Sequence, residues 1–224
     1  MAAVAPPRGL LITLEGGEGA GKTTVLGGLR TLLEARGAVV CQTREPGGTP
    51  VGEAMRGLLL DPENPLTAHA ELLLMFASRA QLVDTVVEPA LARGEVVLAD
   101  RFTDASFAYQ GGGRGLPASL IAELERCVVR RRPDFTLLLD LAVRDGLARA
   151  RARGGAVDRI EAEREEFFER VRVAYLARAA AEPSRIAVID AALPVDAVVS
   201  AARVALDHFL ERAGAGAGKS EAAR

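Results

Sequence analysis

The sequence predicts an α/β domain built on a five-stranded parallel sheet flanked by helices, and three observations carry the prediction. Five short runs are rich in branched apolar residues and end at or near polar positions. Longer stretches with apolar residues at helical spacing separate them. The runs "LLIT", "VVLA" and "TLLL" are apolar throughout instead of alternating, the pattern of strands covered on both faces.

In order, "LLITLE" (10–15) reads as the first strand, and "TTVLGGLRTLLEARG" after it as the first helix. "AVVCQT" (38–43) is the second strand. The long helical pattern "AELLLMFASRAQLVDTVVEPALARG" leads to a third, "EVVLAD" (95–100). "ASLIAELERCVVRRRP" is again helical, with helix-end cations before Pro133, and is followed by "FTLLLDL" (135–141). "EAEREEFFER" is a solvated helix face, and "RIAVID" (185–190) is the last strand. A length of 224 residues with 49% hydrophobic residues suits one core, so one domain is expected over residues 10–212. Residues 1–9 read as a flexible N-terminus, and 213–224, "AGAGAGKSEAAR", as a disordered tail with too few apolar residues to pack.

A net charge of −2 gives no global pull toward nucleic acid or an anionic membrane, so neither is expected as a partner. "MAAVAPPRG" lacks the form of a targeting leader, and no apolar run approaches the ~18 residues of a membrane span, which reads as a cytoplasmic protein. Cys41 and Cys127 have no CxxC partner and share the chain with only two histidines, which suggests buried, reduced thiols and neither a zinc site nor a disulfide.

The stretch "LLITLEGGEGAGKTT" carries the first chemistry. Gly16, Gly21, Lys22 and Thr23 satisfy G-x-x-x-x-G-K-[ST], directly after the first strand and directly before the first helix. Of 28 Lys and Arg residues only Lys22 and Lys219 are lysines, so this chain keeps Lys where a compact charge on a slim stem must reach the β and γ phosphates. Glycines let successive backbone N–H groups of Gly16, Gly17, Glu18, Gly19, Ala20 and Gly21 turn toward a polyphosphate, and the helix start adds its positive end. Thr23 offers a hydroxyl to Mg²⁺, with Thr24 beside it. The tail sequence "GAGAGKS" is a decoy: Ala213 stands where the first glycine belongs, no strand precedes it, and no helix is expected after it. ATP is the expected nucleotide, since no NKxD motif for guanine is present. "ADRF" closes the third strand, placing Asp100 within reach of the Mg²⁺ shell and Arg101 at the carboxyl edge of the sheet, where ligands of such folds bind.

The set "GGEGAGKTT", "TREPGGTP", "DRFTDASFAYQGGGRG" and "RARARGGAVDRIE", in this order, resembles the bacterial thymidylate kinases from about Leu10 to about Leu210. The resemblance implies a three-layer P-loop kinase fold with a short lid at about residues 149–159, and a homodimer. It implies transfer of the γ-phosphoryl group of ATP to dTMP with Mg²⁺, giving dTDP in dTTP biosynthesis. Arg44, Arg56 and Arg101 would hold the dTMP phosphate, which guanidinium forks suit. Glu18 would face the sugar hydroxyl, Arg79 the thymine carbonyl, and Ser106 and Gln110 the rest of the base edge. Tyr109 would lie near C2′ and disfavour ribonucleotides. The aromatic that stacks on the base in many relatives lies four residues before the arginine. Here that position is Met75, and Phe76 is three residues before Arg79; both spacings are helical neighbours, so either side chain can cover the base. Adenine contacts are expected from the loop "DAALP" after the last strand.

The mechanism follows from charge. A phosphate monoester with a second pKa of ~6 is already an anionic nucleophile, so no general base is required. Alignment and positive charge on the transferring group must be supplied, and the P-loop holds no arginine between Gly16 and Lys22. "LARARARGGAVDR" supplies it: Arg149 and Arg153 share a helical face, Arg151 points away, and Gly154 and Gly155 allow a hinge. Lys22, Asp100, Arg101, Arg149 and Arg153 are therefore the expected catalytic set. Two rivals remain open at this point, a kinase for another nucleoside monophosphate and a nucleotide-binding switch or motor.

Overall fold

A computed structural model describes residues 8–154 and 158–221, with side chains up to residue 213. β1 (Leu11–Gly16), β2 (Val40–Arg44), β3 (Val96–Asp100), β4 (Phe135–Asp140) and β5 (Ile186–Asp190) form one parallel sheet in the order β2-β3-β1-β4-β5. The five strands fall where their branched residues predict. β1, β3 and β4 are buried almost from end to end, whereas β2 and β5 are only partly covered because they form the sheet's edges.

α1 (Lys22–Ala35) and α9 (Val195–Glu221) cover one face, where Leu26, Leu29 and Leu206 pack on Ile12, Leu14 and Leu137. Each such side chain, fully buried, contributes ~1.5–3 kcal/mol. α2 (Pro50–Leu60) starts at Thr49, whose hydroxyl accepts from Gly52 N, with Pro50 in the first turn. α3 (Ala68–Leu82) runs through a π-helical turn (Val83–Val87) into α4 (Glu88–Ala92) and packs on Leu11, Val97 and Ala99 of the opposite face. α5 (Thr103–Ser106) continues as a π-helical segment, Phe107–Gly113. α6 (Ala118–Leu124) likewise ends in a π turn, Glu125–Val129. α7 (Val143–Arg153) and α8 (Glu165–Ala181) complete this layer, with Phe168, Val171 and Tyr175 against Leu138.

The backbone of α9 is described to Glu221, past the expected domain end at residue 212 and through the stretch around Lys219 that was expected to follow no strand and form no helix. Residues 1–7 of the expected flexible N-terminus, Gly155 of the expected hinge, and 222–224 of the expected tail lie outside the described residues. Cys41 and Cys127 are both free, but Cys41, on the edge strand β2, is only partly buried and Cys127 is exposed, contrary to the expectation of two buried thiols. Cys127 is the one farther from that expectation. It lies in a helix-end π turn where the sulfur meets Glu123, away from the sheet. No helix among the described residues is long and apolar enough to cross a membrane.

One polar knot sits beneath the sheet. Asp104, fully buried, accepts from Arg178 Nε and Nη2 at 2.8 and 2.7 Å and from Arg185 Nη1 and Nη2 at 2.7 and 2.9 Å. Thr136 joins it, and Thr13 joins Thr136 at 2.8 Å, so the knot ties α5, α8, β4 and β1 together. Burial works to raise the Asp104 pKa, but the hydrogen bonds and charges of Arg185 and Arg178 outweigh it and hold the carboxyl below its ordinary range. Removing one member of such a buried set leaves the others uncompensated, at ~3–5 kcal/mol. Asp104→Ala is expected to lower unfolding free energy by about that much in a urea titration, and a loss under ~1 kcal/mol would contradict the part given to this knot.

Candidate active site

The site begins where β1 ends. Gly21, in the left-handed conformation (φ 89°), is the N-cap of α1 with no side-chain cap, and the first turn has no acidic residue. The positive end of α1 is thus left to be neutralised by something the chain does not supply. Lys22 Nζ donates to the carbonyls of Gly16 and Gly17, both at 3.1 Å, so the lysine curls over its own loop. Burial, then the neighbouring Arg101 charge, lowers its pKa. The loop leans on α7 backbone to backbone: a Cβ on Gly19, which has φ 68°, would collide with the Gly146 carbonyl.

β3 lies beside β1 with Asp100 in register with Leu14, which brings the third strand's end to the loop. Arg101 follows with φ 70°, a left-handed conformation costly for a non-glycine residue. The bend aims its guanidinium back across the sheet edge. Nη1 donates to Gly16 O (3.0 Å) and to the Tyr175 hydroxyl (3.2 Å), and Nη2 donates to Glu18 Oε1 (2.7 Å). Tyr109 also donates to Glu18, at 3.1 Å. Burial works to raise the Glu18 pKa, but Arg101 and then Lys22 outweigh it and keep the carboxyl low. Burial raises the Tyr109 pKa, so its phenol stays a proton donor.

A cavity of ≈ 540 Å³ opens in front of these groups. Its wall carries Gly19 to Thr24 of the P-loop and Asp100, together with Met75, Arg79, Ser106, Tyr109 and Gln110, and with Arg44, Arg56, Arg101 and Arg153. The cations are held by groups that a ligand can replace. Arg44 pairs with Glu53 at 3.0 Å, Arg56 donates to Pro46 O at 3.0 Å, and Arg153, mostly exposed, is 3.5 Å from Glu161. Asp100 Oδ1 is buried and has no partner among the described residues, and Thr23 lies on the same wall. This donor pair fits a hard divalent cation such as Mg²⁺.

Arg79 on the same wall is almost fully buried and is held in place before any ligand arrives. Its Nε donates to Glu45 Oε2 (2.6 Å), Nη1 to the Ser106 hydroxyl (3.0 Å) and Nη2 to Phe102 O (3.1 Å). Its guanidinium lies 4.8 Å from the Phe76 ring centroid. Phe76 is thereby spent as the floor under Arg79 in the core, and Met75 is the one of the pair on the cavity wall.

The profile of the family described as "Thymidylate kinase" matches residues 14–202. Thymidylate kinase of Pseudomonas entomophila (strain L48) is 56% identical over 206 residues, covering 91% of this chain and 98% of that protein. That of Chromohalobacter salexigens is 54% identical over 207 residues, covering 91% and 96%. The chain belongs to the thymidylate kinase family. The crystal structure of thymidylate kinase from Ehrlichia chaffeensis superposes with a TM-score of 0.74 at 32% identity, covering 90% of this chain and 99% of that one. The family membership agrees with the five-stranded parallel sheet and its P-loop at the end of β1.

Of the residues expected at the site, Gly16 and Gly17 lie behind the cavity wall with their carbonyls taken by Lys22 Nζ, and Phe76 and Arg149 are also placed outside the cavity. Phe76 is in the core, as above. Arg149 is one turn of α7 before Arg153 and donates to Ala191 O at 2.9 Å, on the loop after β5 expected to take adenine; only Arg153 of the pair lines the cavity. Arg151 is exposed and off the wall, as its helical phase predicts. Glu45, Asp158 and Glu161 line the cavity and were not singled out, because an isolated carboxylate in a loop carries no spacing signal. Glu15 was also missed as a site residue. It lies one residue before the end of the fully buried β1, accepting from Phe102 N and from the Tyr175 hydroxyl, both at 2.7 Å. A carboxylate closing an apolar strand was the available signal.

Burial first, and then the Asp104 charge, pushes the Glu15 pKa up to about 7, although Arg101 works against the rise. Burial likewise lifts Glu45 to about 7. Between the ordinary carboxyl value of 4.5 and about 7 the folded chain binds more protons than the unfolded chain, so stability falls as pH rises across that window. Glu18 and Asp104 act in the opposite sense at lower pH, since their folded pKa values are depressed. Urea titrations are expected to show wild type losing ~1 kcal/mol per pH unit or more between about pH 5 and 7, and Glu15→Gln losing clearly less. Equal losses in the two proteins would contradict the assignment of this titration to Glu15.

Proposed function

We propose that this chain is an ATP-dependent nucleoside monophosphate kinase that phosphorylates dTMP to dTDP, a step toward dTTP, in the cytoplasm and as a homodimer. The single observation that carries the reading is one cavity lined both by the P-loop and by a buried arginine held by a carboxylate, a hydroxyl and a backbone carbonyl, with further arginines on the same wall. A switch or motor has no use for the second of these. Val51 and Leu58, seven residues apart on one face of α2, are exposed and suit a subunit contact.

In this reading the triphosphate of ATP lies in the P-loop, where Lys22 leaves the Gly16 and Gly17 carbonyls for the β and γ phosphates. Thr23 and Asp100 would hold Mg²⁺, which supplies charge neutralisation and alignment of the β and γ phosphates when bound. Arg44, Arg56 and Arg101 hold the dTMP phosphate, with fork geometry that fixes its direction as well as its charge. One of its oxygens attacks the γ phosphorus, ADP leaves, and no proton has to be removed from the nucleophile beforehand. Arg153 comes from the lid helix to the transferring group, while Arg149 stays at the adenine side. Met75 covers the base, Tyr109 stands by the sugar with Glu18, and Arg79 with Ser106 reads the carbonyl edge.

ADP release measured across a panel of nucleoside monophosphates tests the substrate. Clear preference for dTMP is expected, with leakage to dUMP because one methyl group is worth only ~1–3 kcal/mol. Equal turnover of AMP or UMP would favour a kinase for another monophosphate. Lys22→Ala is expected to abolish transfer while the fold is kept, and activity within about tenfold of wild type would contradict its place. Arg153→Ala is expected to lower kcat with little change in dTMP affinity, and an effect on affinity alone would remove it from the transition state.

A further inference from the structure

Glu71 is fully buried on the face of α3 that otherwise presents Leu72 and Phe76 to the core. Two guanidiniums reach its carboxylate: Arg114 Nη2 at 3.0 Å and Arg159 Nη1 at 2.8 Å. The side-chain amide of Gln110 reaches it as well, donating from Nε2 to Glu71 Oε1 at 2.8 Å. A buried ion group of this kind adds little to stability relative to apolar packing, so its presence calls for another explanation.

That explanation lies in what a carboxylate cannot do. It accepts hydrogen bonds and has none to give, so Gln110 must turn its NH₂ toward Glu71 and its carbonyl the opposite way. Gln110 Oε1 is buried, has no partner among the described residues, and belongs to a residue on the cavity wall. It is therefore a fixed acceptor awaiting a donor from the ligand. Without Glu71 the amide could rotate and present either group.

We propose that Glu71 is a positioning residue for base selection: by pinning the Gln110 amide it makes the pocket require a ring N–H. Thymine and uracil carry that proton at N3, whereas cytosine carries a lone pair there and would set acceptor against acceptor. The proposal rests on reading this cavity as the dTMP site. Arg114 and Arg159 extend the same link outward, because Arg114 also bonds Glu163, and Arg159 Nε donates to Leu59 O at 2.8 Å. The end of the lid segment, through Arg159, and Glu163 just after it, through Arg114, thus hold the carboxylate that holds the base-reading amide.

Glu71→Gln tests it, since glutamine can still accept from both arginines but can donate to Gln110 and release its orientation. The readout is kcat/KM for dTMP divided by that for 5-methyl-dCMP, with a thermal melt to confirm folding. Wild type is expected to favour dTMP by ~10²-fold or more, and Glu71→Gln to shrink the ratio at least ~10-fold, with the loss for dTMP falling on KM and not on kcat. In a Gln110→Leu background the ratio is expected to be small already, and Glu71→Gln to leave it unchanged. An unaltered ratio in folded Glu71→Gln, or a full ratio retained by Gln110→Leu, overturns the proposal. Should Glu71→Gln not fold, a full ratio retained by Gln110→Leu still overturns the proposal. A wild-type protein that turns over neither nucleotide would instead overturn the dTMP reading itself.

Discussion

The guanidinium of Arg101 is the constraint on which the site depends. It joins the P-loop at Gly16, the Glu18 carboxylate and the Tyr175 hydroxyl of α8, drawing the ends of β1 and β3 and one helix to a single point. The left-handed backbone at this residue costs on the order of 1–3 kcal/mol, and the three contacts offset it. A relaxed backbone at residue 101 would send the side chain elsewhere. The phosphate loop would then lose its tie to the acceptor end, and Glu15, which caps Phe102 N one residue later, would lose its place.

Cations and carboxylates are arranged as a set of exchangeable pairs. Lys22, Arg44, Arg56 and Arg153 rest on carbonyls or on partly exposed carboxylates, contacts of small net value in water. Phosphate oxygens can replace them at little cost. Arg79 differs: it is buried, pairs with Glu45 at 2.6 Å and stands on Phe76, so it is in position before any ligand arrives. In the proposed reading the cavity combines a rigid side for the base with adaptable arms for the phosphates, which suits a reaction that needs alignment more than proton transfer.

Much of this was legible in the sequence, for identifiable reasons. The strands were readable because branched residues buried on both faces leave uninterrupted runs, and the P-loop because its chemistry requires fixed spacing. Residues 107–113 were not readable as helix, since "QGGG" disfavours one; the glycines instead let α8 approach, where a Cβ on Gly112 would press on Ala174 at 2.6 Å. Helical spacing alone could not separate Met75 from Phe76, as the choice was made by the third dimension, through Arg79 needing a floor. It also joined Arg149 to Arg153, although one turn along α7 is enough to move a side chain from the cavity to the loop after β5. Glu71 within "AELLLMF" looked like an ordinary polar helix position, because its partners come from residues 110, 114 and 159.

The most direct measurement is a crystal structure with dTMP and a non-hydrolysable ATP analogue bound together. The account predicts the triphosphate in the P-loop and the dTMP phosphate against Arg101, with an acceptor oxygen in line with the γ phosphorus at near-contact distance, about 3–3.5 Å. An empty P-loop, or two nucleotides lodged too far apart for their phosphates to meet, would contradict it.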